Sequence, residues 1–244
     1  MHYVSRFSRR RFVQLAGVAA ASLVTGRSQP AYPASSQTST DKSATPPNAD
    51  EILRQLLAGN ERFVRGQPSN PRRKPEDFSA LAEGQAPLAV IIGCADSRVP
   101  PELLFDQGVG DLFVIRVAGN VVSGAGAVVK GSVEYAVAEL HVPLIMVLGH
   151  SNCGAVKAAV KHLEAHDALP GAINDLVNFI KPAVIEVADQ PGDKLDNAIR
   201  ANVAMGVKRL QTLKPVLVDP VKQGRVKVVG AVYDLRTGQV KMVT

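Results

Sequence analysis

Leu88-Ala89-Val90-Ile91-Ile92-Gly93-Cys94-Ala95-Asp96-Ser97-Arg98 passes from an unbroken apolar run into a short polar break. The same change recurs in Leu144-Ile145-Met146-Val147-Leu148-Gly149-His150-Ser151-Asn152-Cys153-Gly154. Short aliphatic runs without polar alternation read as strands buried on both faces. Residues 112–117 and 226–233 give two further runs of this kind, and 240–243 an edge strand after the Arg236-Thr237-Gly238 turn. Between the strands, residues 125–141, 155–168, 173–187 and 195–213 show helical spacing, the first closed by Pro143. Strands alternating with helices predict an α/β fold, a mostly parallel four-stranded sheet plus an edge strand, covered on both faces. An N-terminal helical arm precedes it: Asp50 reads as an N-cap, with Ile52, Leu53, Leu56 and Leu57 on one face up to Gly59. Residues 60–77 are polar and basic and read as a second arm outside the core.

Both polar breaks fall at the carboxyl ends of strands, where open α/β sheets build their sites. If the strands at 88–93 and 144–149 are neighbours, Cys94, His150 and Cys153 converge on one point. Two thiols and an imidazole are preferred zinc ligands, and three protein ligands leave a fourth position open for chemistry. Two other readings stand beside this one: a disulfide between the chain's only two cysteines, or two small buried hydrophobes.

With 244 residues and 46% hydrophobic content the chain supports one sizeable core. Its net charge of +6 is local: residues 1–40 hold five arginines and no lysine or acid, leaving +1 for residues 41–244. A nearly neutral body gives no broad attraction to phosphate backbones, so no nucleic-acid partner is expected, and Arg72-Arg73-Lys74 reads as a solvated arm. Ser8-Arg9-Arg10-Arg11-Phe12 opens an apolar stretch to Val24, too short for a comfortable membrane span. Residues 1–34 therefore read as a twin-arginine-like signal peptide, with an uncleaved amphipathic anchor as the alternative. Export to the periplasm or beyond is expected, with no stable membrane anchor after cleavage. Residues 35–49 form a linker rich in Ser, Thr, Pro and Ala, and residues 50–244 the catalytic domain. Folded export fits two free thiols, because zinc loaded in a reducing compartment would hold both as thiolates.

The two-part pattern Cys94-x-Asp96-x-Arg98 with His150-x-x-Cys153 resembles the β-class carbonic anhydrases. So do Phe113-Val114-Ile115-Arg116-Val117-Ala118-Gly119-Asn120 and Gly149-His150-Ser151-Asn152-Cys153-Gly154-Ala155, and the similarity spans residues 50–244. The resemblance implies one Zn2+ per chain on Cys94, His150 and Cys153, and reversible hydration of carbon dioxide to bicarbonate and a proton by a zinc-bound hydroxide. It also implies homodimers, with tetramers as a further assembly. An Asp96–Arg98 pair would orient the nucleophile; in some family members the aspartate instead takes the fourth zinc position. Gln85 matches a substrate-binding glutamine of the plant-type, open subgroup. The other subgroup's regulatory bicarbonate site needs a Trp where this chain has Ile91, so Arg116 and Tyr233 match it only in part. Two rival functions keep the same site: hydrolysis of carbon disulfide or carbonyl sulfide, and a non-catalytic or redox-sensing zinc protein. His141, His162 and His166 read as solvated helical histidines, with proton relay as the alternative role.

Overall fold

The computed structural model describes residues 48–122 and 126–243; the expected signal peptide and all but the end of the expected linker lie outside them. Ala89–Gly93 (β1), Leu112–Arg116 (β2), Leu144–His150 (β3), Lys227–Tyr233 (β4) and Val240–Met242 (β5) form one sheet in the order β2-β1-β3-β4-β5. The first four strands are parallel and β5 is antiparallel to β4. The helices are Ala49–Val64 (α1), Phe78–Leu81 (α2), Pro101–Leu104 (α3), Gly126–Ala138 (α4), Gly154–Glu164 (α5), Ala172–Glu186 (α6), Lys194–Gln211 (α7) and Val218–Lys222 (α8). The mostly parallel sheet with an edge strand is the one expected from the apolar runs.

Every residue of β1 and β3 is buried. The pleat sends Val90, Ile92, Ile145 and Val147 into a core shared with α4 to α7. Ala89, Ile91, Leu144, Met146 and Leu148 point the other way, against Ile52 and Leu56 of α1 and Leu104 of α3. Burial on both faces is why the sequence shows unbroken apolar runs rather than alternation. Among the described residues, no helix is long and apolar enough to cross a membrane.

The N-terminal arm departs from expectation in two ways. The cap of α1 is Asn48, whose side chain accepts from the Glu51 amide, and Asp50 lies inside the first turn. The helix also runs through Gly59 to Val64. There Gly59 serves contact, not termination: an added Cβ would lie 1.8 Å from the Phe105 carbonyl oxygen. One residue on, Asn60 is buried, donating to the carbonyls of Leu104 (3.0 Å) and Gly238 (2.9 Å) and accepting from the Val240 amide (2.8 Å).

Nor is the segment after α1 a loose arm. Asp106 is fully buried and accepts from Arg62 Nε (2.7 Å), the Ser69 amide and hydroxyl (2.8 and 2.7 Å) and the Asn70 amide (2.9 Å). Arg72 pairs with Asp111 close by. Burial would raise the Asp106 carboxyl, but the bonds from Ser69, Arg62 and Asn70 outweigh it and hold it well below the usual carboxylate range. A depressed folded-state value adds stability above the unfolded value of about 4, lost as pH falls through the folded one. Asp106→Asn is expected to lower unfolding free energy by about 3 kcal/mol at pH 7, since it leaves buried donors unmatched. That deficit should shrink below pH of about 4, as denaturant titrations at both pH values would show.

Candidate metal centre

Cys94 directly follows β1, His150 closes β3, and Cys153 is the residue before the first turn of α5. Because β1 and β3 are paired neighbours, with Gly93 opposite Leu148, the two polar breaks emerge side by side. The Cys94 and Cys153 sulfurs and a ring nitrogen of His150 all lie within 4.8 Å of one another. Donors sharing one tetrahedral zinc, at about 2.3 Å for sulfur and 2.0–2.1 Å for nitrogen, would stand roughly 3.5–4 Å apart. All three side chains are buried, with His150 at 0% exposure. Both cysteines are free.

The donors are prepared for a cation. His150 Nδ1 lies 2.9 Å from the Ser151 carbonyl oxygen, an acceptor, so Nδ1 carries the proton and Nε2 offers its lone pair. Nε2 itself is buried with no hydrogen-bond partner, an orphan that a metal would satisfy. The neighbouring Cys153 holds the Cys94 thiol below its ordinary range, and the Gly119 amide, 3.2 Å from the Cys94 sulfur, acts in the same direction. Cys153, buried beside Cys94, is pushed up. A coordinating metal would take both as thiolates.

Asp96 and Arg98 stand beside the cluster as the motif requires. Arg98 grips the carboxylate with both arms, Nε to Oδ1 at 2.9 Å and Nη2 to Oδ2 at 2.7 Å, and its amide adds a third bond to Oδ1 at 3.0 Å. That side-chain pairing keeps the Asp96 carboxyl well below its ordinary range. Asp96 Oδ2 lies 3.8 Å from His150 Nε2, so the carboxylate faces the metal position while Arg98 holds it. A cleft of about 710 Å³, lined by Arg98, Ser151, Asn152, Ile199 and Arg236 among others, runs alongside.

Gln85 is not brought to the cluster. It is exposed and precedes β1 at the amino-terminal edge of the sheet, whereas Cys94 follows the carboxyl end. The histidines also stay away. His162 bonds Asp167 at 2.6 Å, nine residues along α5 from Cys153, about 13 Å by helix rise. His166 faces the Glu164 carbonyl and His141 is exposed.

The sequence pattern assigned no role at the cluster to a residue that matters there. Arg116, at the end of β2, donates from Nε to the Cys94 carbonyl at 3.0 Å and from Nη2 to the Asp96 carbonyl, strapping the ligand loop to the neighbouring strand. Its guanidinium is so occupied, Tyr233 is buried and Ile91 lies deep in the core. The register offered a signal: Arg116 pairs with Gly93, the residue before the first ligand. Arg116→Ala is expected to weaken metal affinity by about 10–100-fold while the fold persists. Competition with a chromophoric chelator, alongside circular dichroism, would measure both.

A family model described as carbonic anhydrase matches residues 89–240. A carbonic anhydrase of Mycolicibacterium smegmatis is 39% identical over 198 residues, covering 80% of this chain and 95% of its own. Carbonic anhydrase 2 of Mycobacterium tuberculosis strain H37Rv is 40% identical over 195 residues, covering 79% and 93%. Among solved structures, a tetrameric β-carbonic anhydrase of Sordaria macrospora superposes with a TM-score of 0.63 at 28% identity, over 78% of this chain and 95% of that one. With the Cys–His–Cys cluster, the clamped aspartate and these similarities together, the chain belongs to the β-class carbonic anhydrase family.

Proposed function

We propose that this protein reversibly hydrates carbon dioxide to bicarbonate and a proton, using a zinc ion held by Cys94, His150 and Cys153. The observation that carries this reading is the buried, unpartnered His150 Nε2 beside two sulfurs and an arginine-clamped carboxylate. When bound, zinc supplies a Lewis acid that makes water nucleophilic near neutral pH. The chain's own residues do the rest. Asp96 stays ionised throughout the working range, so it is an acceptor and not a proton source. Its Oδ2 is placed to accept a hydrogen from the attacking oxygen and turn the free lone pair toward carbon. Arg98 stops the carboxylate from swinging onto the metal, which supports the open form of the site. Burial of the three ligands excludes competing water from the sulfurs.

Asp96→Ala should retain one zinc per chain and lose about 100-fold in hydration rate, read by stopped-flow with metal analysis on the same sample. Full activity in that variant would remove the role assigned to Asp96. Chelation should abolish hydration and zinc should restore it. A zinc-loaded protein that turns over carbonyl sulfide or carbon disulfide but not carbon dioxide would move the assignment to hydrolysis of those heterocumulenes.

The assembly is proposed to be a homodimer, or a tetramer built of two such dimers. β2 has no strand partner on its outer side among the described residues, and its Leu112, Phe113 and Val114 are only half-buried. On α4, Val128 is 81% exposed and Tyr135 48%. An unpaired edge beside exposed apolar side chains is the kind of surface that a second copy covers. A role for Gln85 at the site requires such a copy, because on its own chain it stands at the other end of β1. The twin-arginine-like pattern at Arg9 to Phe12 supports export in folded form.

A further inference from the structure

Hydrogen bonds lead from α7 to the Cys94 sulfur through the turn at Ala118–Asn120. Asn202, buried at 4% exposure, donates from Nδ2 to the Gly119 carbonyl oxygen at 2.9 Å, across 83 residues of sequence. On the other side of the same α-carbon, the Gly119 amide donates to Cys94 Sγ at 3.2 Å. Gly119 has φ 69° and ψ 18°, and a Cβ there would meet Ile180 Cδ1 at 2.8 Å and Ala155 Cβ at 3.1 Å. The donor to the sulfur is therefore a main-chain group whose direction depends on how the turn is held. Among the described residues, the side-chain hydrogen bond that holds this turn comes from Asn202.

The other sulfur is served differently. Cys153 directly precedes α5, whose first-turn amides have no partners within the helix. Those donors are fixed by the helix itself and need no side chain to aim them. Two thiolates and a neutral imidazole would cancel the charge of a divalent ion. A thiolate that accepts a hydrogen bond gives less electron density to its metal, leaving the metal the stronger Lewis acid. Cys94 is the ligand on which that bond is adjustable.

We propose that Asn202 is a positioning residue of the metal centre: by fixing the Gly119 turn it sets the N–H···S bond to Cys94, and with it how strongly that sulfur donates to a bound metal. The proposal rests on Cys94, His150 and Cys153 being the metal ligands. It extends the centre to α7, a helix that contributes no ligand.

The test uses the full-length protein loaded with cobalt(II) or with spin-active cadmium, comparing wild type with Asn202→Leu, close in size but without the donor. The thiolate-to-cobalt charge-transfer band is expected to move to longer wavelength in the variant. Scalar coupling between cadmium and the Gly119 amide proton, carried through the sulfur, is expected in wild type and reduced or lost in the variant. A band and a coupling both unchanged in Asn202→Leu would overturn the proposal, even if the variant melts earlier, since a purely structural role lowers stability without moving either signal. Should the leucine variant not fold, Asn202→Asp keeps the shape, loses the donor when ionised and is read the same way. Absence of the Gly119 coupling in cadmium-loaded wild type overturns the proposal without any variant. Wild-type protein that takes up neither metal shows no charge-transfer band, which overturns the ligand assignment itself and the proposal with it.

Discussion

The parallel pairing of β1 with β3 is the constraint on which the centre depends. Gly93 lies opposite Leu148, so the residues that follow, Cys94 on one strand and Gly149-His150 on the other, leave the sheet side by side. Slipping that register by one residue would turn over the two faces of the slipped strand and set the ligands on different levels. What prevents the slip is apolar packing on both faces. Ile92 and Val147 are sealed against the helices on one side, and Ile91 and Met146 against α1 and α3 on the other. The chemistry is thus positioned by the least polar part of the molecule.

Around the ligands, most of the ordering is done by main-chain groups. The Ser151 carbonyl selects the His150 tautomer, the Gly119 amide bonds the Cys94 sulfur, and Cys153 sits directly before the first-turn amides of α5. Arg116 and Asn202 act on that backbone and not on the ligands, one by holding carbonyls of the Cys94–Asp96 loop and the other by holding Gly119. The Asp96–Arg98 pair is the exception, a side-chain device with two parallel bonds that fix the carboxylate in rotation as well as position.

This division explains what could be read from the sequence. Buried parallel strands must be apolar throughout, so the runs at 88–93 and 144–149 announce themselves and match the strands to within a residue. Metal ligands must be of particular residue types at strand ends, so Cys94, His150 and Cys153 could be named together with Asp96 and Arg98. Asn60, Asp106, Arg116 and Asn202 carry no such mark. Each is a polar residue that satisfies main-chain groups far away in sequence, and its partners are known only once the fold is known. Gly59 shows the same limit from the other side. A glycine after an amphipathic stretch reads as a helix end, whereas here it lets α1 pass against the Phe105 carbonyl. Gln85 was named through resemblance alone, and the chain by itself keeps it away from the cluster.

Asn60 ties the first described helix to the last strand, its side chain bonding the Val240 amide 180 residues away. During synthesis at about 5–20 residues per second, those partners emerge roughly 10–35 s after Asn60 itself. For that interval α1 has neither β5 to bond nor a finished sheet to cover, and an isolated 16-residue helix is marginal in water. Among the described helices, α1 therefore waits longest for its partners. Only once residues 238–240 have been made does α1 gain these last partners, closing over a sheet whose other strands come earlier in the chain.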